Sequence, residues 1–332
     1  MRPVWTAEQK EEGMNKVSHE QIIGIDVSRD WLDIHCLPDI RRLRLPNSDE
    51  GHAQLVGLAQ STHALVCFEA TGGQEWRLWT ALDAAGIATR QLPPAQIKAF
   101  AASRGTRAKT DRIDAELIAR FMAFRPDAGR ELPHRKLRLL RALAAKRAQL
   151  VETRKRLLAQ IKAHEKLGTD VIFTEVDAEL RALLDRQIGK LEDQIAQTIA
   201  ADRGLAQTAG ILRSVPGIGP VASTMLIAEM PELGQLSGEQ AAALTGPAPI
   251  AHDSGAMRGK RAIGGGRRQV RHVMFQAALV ASHHNPHLKI FAGRLRDAGK
   301  PHKVIITAVA RKLVTIANAL LKSRQNWSAQ TA

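Results

Sequence analysis

An α/β unit followed by a mainly helical remainder is the fold class that the sequence predicts, and three observations predict it. Residues 21 to 100 alternate short strand-like runs with helix-like segments. Residues 134 to 203 contain no proline and are dominated by Leu, Ala, Lys, Arg, Glu and Gln. From residue 206 onward the apolar spacing is helical again, punctuated by SVPGIGP (214 to 220) and a Gly-rich basic loop from 252 to 268.

The strands are expected at QIIGIDVS (21 to 28), WLDIHCL (31 to 37), RRLRLPN (41 to 47), ALVCFEA (64 to 70) and IATRQL (87 to 92). The first three are joined by tight turns, which implies an antiparallel meander, and helices follow at 50 to 60, 74 to 85 and 94 to 124 with an interruption near Gly105. In the proline-free stretch, Leu140, Leu143, Leu150, Leu157 and Ile161 form a seam in which Arg147 and Arg154 take two core slots. Leu180, Leu184, Leu191, Ile195 and Thr198 continue a similar seam after a break at Gly168 to Asp170, so two long helices should form an antiparallel hairpin. Its charges read either as a solvated face or, on the Arg-rich first helix, as a nucleic-acid contact. The expected organisation is a flexible extension over 1–19, an α/β domain over 20–125, a coiled-coil hairpin over 126–205 and a helical domain over 206–332.

Charge narrows the partners. The 332 residues carry 48 Lys and Arg against 33 Asp and Glu, a formal charge of +15, which favours a polyanion and nucleic acid first. No uninterrupted apolar run of about 18 residues is visible and the N-terminus is polar, so no membrane partner and a cytoplasmic, nucleoid-associated protein are expected. Cys36 and Cys67, the two cysteines, sit in apolar strands and read as buried thiols rather than a zinc site. Tyrosine is absent, which excludes a tyrosine nucleophile.

Four acids fall where chemistry could use them. Asp26 stands near the end of the first strand and Glu69 closes the fourth. Strand-end acids are commonly turn formers, yet a buried carboxylate has to be solvated, paired or bound to metal. Asp111 and Asp114 lie three residues apart on one helix face, able to address one cation or simply to favour a helix start. An acid on the first strand, one on the fourth and two on a later helix describe the ribonuclease H-like order, which gathers carboxylates around divalent ions. Carboxylate oxygens suit Mg²⁺ or Mn²⁺, and phosphoryl transfer is what paired metals serve. Arg104, Arg107 and Lys109 would then be phosphate contacts.

Two further stretches bear on DNA. Gly217 and Gly219 flank an isoleucine in SVPGIGP, either as a plain helix turn or as a backbone cradle for a phosphate. Ser254 lies between Asp253 and Gly255 and is followed by Arg258, Lys260, Arg261, Arg267, Arg268 and Arg271. It reads as a turn residue or as a nucleophile among cations that would stabilise a phosphorane, with His252 a local base or an ordinary loop histidine.

GIDVSRD, FEATGG, KTDRIDA, SVPGIGP and the DSG…RGKR…GGR…VR block, in that order, resemble the DEDD transposases of bacterial insertion sequences, the IS one-ten family, which includes the Piv-type invertases. The resemblance spans residues 21 to about 325. It implies a RuvC-like N-terminal domain, a coiled-coil linker and a C-terminal transposase domain. By motif, Asp26, Glu69, Asp111 and Asp114 would be the metal-binding tetrad and Ser254 the residue that forms a covalent phosphoserine link to DNA. It further implies donor and target DNA, a structured noncoding bridge RNA as guide, and dimers or tetramers with composite active sites. Gly264 departs from the pattern, standing where many relatives carry a bulky residue.

Overall fold

The computed structural model describes residues 21–105, 111–250, 253–254, 257–258 and 262–328. The expected extension at 1–19 lies outside them. The chain divides into two units, residues 1–133 and 134–332.

In the first unit, alternating apolar residues build β1 (Ile22–Val27), β2 (Trp31–Leu37) and β3 (Arg42–Pro46), and the short turns between them make all three antiparallel neighbours. The register sets Asp26 opposite Asp33, and Asp33 opposite Arg44. Helix α1 (Asp49–Thr62), capped by the Ser48 side chain, returns the chain to β4 (Leu65–Glu69), which runs parallel to β1. Helix α2 (Trp76–Ala84) leads to β5 (Thr89–Leu92), parallel to β4, and α3 (Pro94–Ser103) and α4 (Asp111–Phe124) follow. The result is a mixed five-stranded sheet in the order β3-β2-β1-β4-β5.

The strand period of two sorts the side chains between faces. Ile23, Ile25, Val27, Val66 and Phe68 pack with Leu55, Leu78 and Trp79 of α1 and α2. Ile22, Cys67 and Leu92 pack on the other face with Ile97, Ile118 and Met122 of α3 and α4. Both cysteines are buried and free, and burial pushes both thiols up. Helix α4 crosses directly over Gly24: a Cβ added there would lie 2.5 Å from the Ala115 carbonyl oxygen and 2.5 Å from the Ala119 amide nitrogen. Those atoms belong to a helix backbone and cannot step aside as a side chain would. Gly24→Ala is therefore expected to lower stability by about 2–3 kcal/mol, read as a fall in the urea midpoint by tryptophan fluorescence. An unchanged midpoint would show that α4 is free to shift.

The second unit opens with α5 (Arg135–Leu167) and α6 (Asp170–Ala200), separated at Gly168, which adopts φ 67° and ends α5. The break falls where the sequence places it. Arg147 pairs with Glu192 at 2.6 Å and Arg154 with Asp185 at 2.7 Å, so seven residues forward on α5 match seven back on α6 and the two helices run antiparallel. The arginines in the seam are thus neutralised from the opposite helix. The apolar seam itself differs from expectation on α6: Ile188, Ile195 and Ile199 are buried, whereas Leu180 is 44% exposed. Toward the start of α6 the covered stripe weakens from Ile188 through half-buried Leu184 to half-buried Asp177, which leaves Leu180 and its apolar neighbours off it.

Leu140, Ile195 and Ile199 share one core with the helices that follow. These are α7 (Arg203–Ser214), α8 (Pro220–Glu229), α9 (Gly238–Thr245), α10 (Arg268–His284), α11 (Pro286–Asp297) and α12 (His302–Ser323). α9 starts at a capping box formed by Ser237 and Gln240. Among the described helices, α12 alone is long and apolar enough to cross a membrane, but Val309, Leu313, Val314 and Ala317 are fully buried in the core of this unit. The stretch expected as a Gly-rich loop contains three two-residue strands, β7 (Asp253–Ser254), β8 (Met257–Arg258) and β9 (Ala262–Ile263), and a fourth, β6 (Pro249–Ile250), comes just before it. Strands this short, set among glycines, leave no period in the sequence to read.

Candidate active site

The acids of the first unit are brought together by register. Asp26 shares the α4-facing side of the sheet with Gly24, and Glu69 shares it with Cys67. β1 and β4 are paired through Ile25 and Phe68, one residue before each acid, so Asp26 and Glu69 stand side by side on neighbouring strands about 4.8 Å apart. Asp111 and Asp114 lie at the start of α4, and Asp114 immediately precedes Ala115, whose carbonyl touches the Gly24 position. One sheet face and the helix that covers it therefore hold all four acids. The Asp111 side chain lies outside the described residues, and among those described no three acidic, histidine or cysteine side chains converge as a finished metal cage. The donor set is entirely carboxylate, which fits a hard divalent ion such as Mg²⁺ or Mn²⁺ and not zinc.

Sequence reading missed two neighbours. Asp33 sits directly across from Asp26, is 4% exposed, and lies 3.4 Å from the Arg44 guanidinium. Like charges directly opposed destabilise a strand pair, and Arg44 offsets that at the third strand. The alternating pattern of WLDIHCL places Asp33 in a strand, but only the β1–β2 register reveals what it faces. Glu75 is the other. It is 2% exposed, and Oε2 accepts from the Gly73 amide at 2.9 Å and the Thr71 hydroxyl at 3.0 Å, while Oε1 accepts from Gln91 at 2.7 Å. Gln91 accepts in turn from Arg130 at 2.6 Å. This network fixes the ATGG turn that leaves Glu69. Nearby, His35 is fully buried with no hydrogen-bond partner for either ring nitrogen among the described residues, and burial holds its pKa below the ordinary value.

The cations expected beside this site divide. Arg104 ends α3, exposed, with its guanidinium 5.7 Å from the Phe100 ring centroid. Arg107 and Lys109 lie outside the described residues.

In the second unit, Ser254 pairs with Met257 and Asp253 with Arg258, a tight antiparallel hairpin. Pro249–Ile250 pairs antiparallel with Ala262–Ile263 in a second two-stranded sheet. The side chains of Ser254 and Arg258, and residues His252, Lys260 and Arg261, lie outside what is described. The base of the segment is held by backbone. Gly246 and Gly266 both adopt positive φ, 89° and 69°, and a Cβ on Gly266 would meet the Gly246 amide nitrogen at 2.5 Å. The Arg267 amide donates to the Leu244 carbonyl at 2.8 Å, and Arg271 donates to the Gly265 carbonyl at 2.6 Å. Arg267 also donates to the Glu229 carbonyl and pairs with Glu232 at 2.5 Å, so its guanidinium ties the start of α10 to the end of α8. Arg268, one residue on, is exposed.

The two glycines of SVPGIGP also separate. Gly217, at φ 107°, packs so closely that a Cβ would lie 2.5 Å from the Ala281 Cβ, so it serves the contact with α10. Gly219 caps α8 with open space around it, leaving the helix N-terminus accessible to an anion.

Comparison with known proteins bears on both units. A DEDD transposase model of the IS110 type, described as a transposase, matches residues 23–167, and the IS116/IS110/IS902 transposase family model matches residues 209–292. A pilin gene-inverting protein from Moraxella bovis is 29% identical over 325 residues, covering 92% of this chain and 96% of the relative, and its counterpart from Moraxella lacunata matches to the same extent. An insertion element IS110 protein of 43.6 kDa from Streptomyces coelicolor is 26% identical over 155 residues, 46% of this chain and 37% of that one. The matches fall on the acid-bearing sheet and helix of the first unit and on the serine hairpin and its supporting helices in the second. The chain belongs to the IS116/IS110/IS902 family of transposases, enzymes that recombine DNA.

Proposed function

We propose that the chain cuts and rejoins DNA through a covalent phosphoserine intermediate formed at Ser254, with Asp26, Glu69, Asp111 and Asp114 holding Mg²⁺ or Mn²⁺ at the scissile phosphate. The observation that carries this reading is the shared face of Asp26, Glu69 and Asp114, three carboxylates on β1, β4 and the helix laid over them. The antiparallel β1-β2-β3 meander followed by parallel β4 and β5 supports a ribonuclease H-like, RuvC-like reading of the first unit. DEDD transposases typically use divalent ions, and the ion supplies neutralisation of charge that builds up on the phosphate.

In this reading the Ser254 hydroxyl attacks phosphorus and gives up its proton, a Ser–O–P bond forms, and the P–O bond to deoxyribose breaks as the departing oxygen takes up a proton. Attack by a sugar hydroxyl of the second DNA end reverses the step and releases the serine. Arg258, Lys260, Arg261 and Arg268 would hold phosphates around the hairpin, Gly219 would receive one at the start of α8, and Arg104, Arg107 and Lys109 would serve the acid site. The absence of tyrosine and the formal charge of +15 agree with serine attack on a polyanion. A bridge RNA that pairs with donor and target DNA would select the sites.

The α5–α6 hairpin reads as a coiled coil serving assembly into a dimer or tetramer. Val171, Ile172 and Val176 near its tip are 80%, 74% and 56% exposed, an apolar surface suited to a second copy. The pilin gene-inverting relatives favour DNA inversion as a second reading, which uses the same chemistry on two sites of one DNA.

Covalent trapping tests the proposal. With paired donor and target duplexes, the guide RNA and Mg²⁺, labelled DNA is expected to migrate with the 36.3 kDa chain after denaturation in detergent. Free cut ends without any adduct would assign the attack to water and overturn it.

A further inference from the structure

The cations of the second unit fall into two classes. On the hairpin many are answered by acids: Arg147, Arg154, Lys155, Arg156 and Arg181 each lie within 4.0 Å of one. On α11 and α12 they are not. Residues 286 to 324 carry nine Lys and Arg against one acid, Asp297, and none of the nine is in an ion pair among the described residues. Lys289, Arg294, Arg296, Arg311, Lys312 and Lys322 are exposed.

Helical spacing aligns them. Lys289 and Arg296 are seven residues apart on α11, and Arg311 and Lys322 are eleven apart on α12, close to two and three whole turns. Arg294 of α11 and Lys312 of α12 meet at one ring, 5.9 Å and 5.3 Å from the Phe291 centroid. The ring draws both cations together without neutralising either. A charge imbalance of this size, held in place and left exposed, stores repulsion that a polyanion relieves.

We propose that the exposed face of α11 and α12 docks the sugar–phosphate backbone of duplex DNA, without reading its sequence. Duplex DNA is favoured over unpaired RNA because single strands are gripped by bases stacking on open aromatic rings. Phe291 is the one Phe, Tyr or Trp between 286 and 324, and cations cover it. The surface lies outside the serine hairpin and adds to the reading above without depending on covalent chemistry.

The test is the salt dependence of binding by the full chain, read without turnover on a mixed-sequence duplex of roughly 30 base pairs and on a stem–loop RNA of similar phosphate number. Lys289→Gln, Arg296→Gln, Arg311→Gln and Lys312→Gln combined should reduce the slope of log K against log salt on DNA by roughly 2 to 4, at about 0.9 per phosphate contact. The pair Arg294→Gln with Lys312→Gln, less demanding on folding, should reduce it by about 1 to 2. Lys155→Gln, Arg156→Gln and Arg181→Gln on the hairpin should leave it unchanged, and circular dichroism melting confirms that each variant is folded. An unaltered DNA slope in the α11–α12 variants, or a loss confined to the RNA, overturns the proposal.

Discussion

Ser254→Ala abolishes the covalent protein–DNA adduct and lowers strand transfer by about 10⁴-fold or more, while DNA binding and the melting temperature stay at the wild-type values. The size of the effect follows from the chemistry, since alanine offers no oxygen to carry the phosphoryl group and no tyrosine is present to replace it. The substitution is structurally mild. Ser254 sits in a two-residue strand paired through its backbone to Met257, and alanine keeps that pairing. Trapping on a denaturing gel and melting by circular dichroism check the two halves separately. Adducts that persist in the alanine variant would exclude Ser254 as the attacking group.

Asp26→Asn, and separately Asp111→Asn with Asp114→Asn, lower strand transfer by about 10²–10⁴-fold, a loss typical of removing charge stabilisation at a reacting phosphate. Stability should move the other way for Asp26. It faces Asp33 across the sheet and stands beside Glu69, so losing its charge relieves repulsion between neighbouring carboxylates. Without divalent ions, Asp26→Asn is expected to melt at or above the wild-type temperature. Mg²⁺ should raise the wild-type melting temperature by preferential binding to the folded chain and leave the variant unmoved. Undiminished strand transfer in either variant would remove the acids from catalysis and leave a binding role.

Much of the first unit was legible because its signals are local. β2 begins and ends where WLDIHCL predicts, and the meander follows from turns too short for anything but antiparallel pairing. Asp26 and Glu69 could be singled out because each ends an apolar run. Asp33 could not, since its meaning depends on a partner seven positions away across a turn, and Glu75, at the start of α2, depends on Gln91 in β5. In the second unit the hairpin was legible from composition and the break at Gly168. The exposure of Leu180 was not, because a seam drawn by leucines diverges from the true helical stripe after two turns. Arg267 looked like one more cation in a basic run, and only the fold sets Glu232 and the Glu229 carbonyl against it.

The ion pairs that cross the α5–α6 seam also act as a check on alignment. Sliding α6 by one heptad in one direction keeps an acid opposite Arg147 but turns Arg154 toward Ala178, and sliding it the other way keeps an acid opposite Arg154 but turns Arg147 toward Ile199. Each mistake strands one arginine in the seam, and Arg147, whose side chain is only 19% exposed, has little water to turn to. A seam of leucines alone would tolerate both errors almost equally. The two arginines give up some hydrophobic contact and in return make misalignment self-penalising, so that a nascent hairpin has one arrangement in which both seam arginines face an acid.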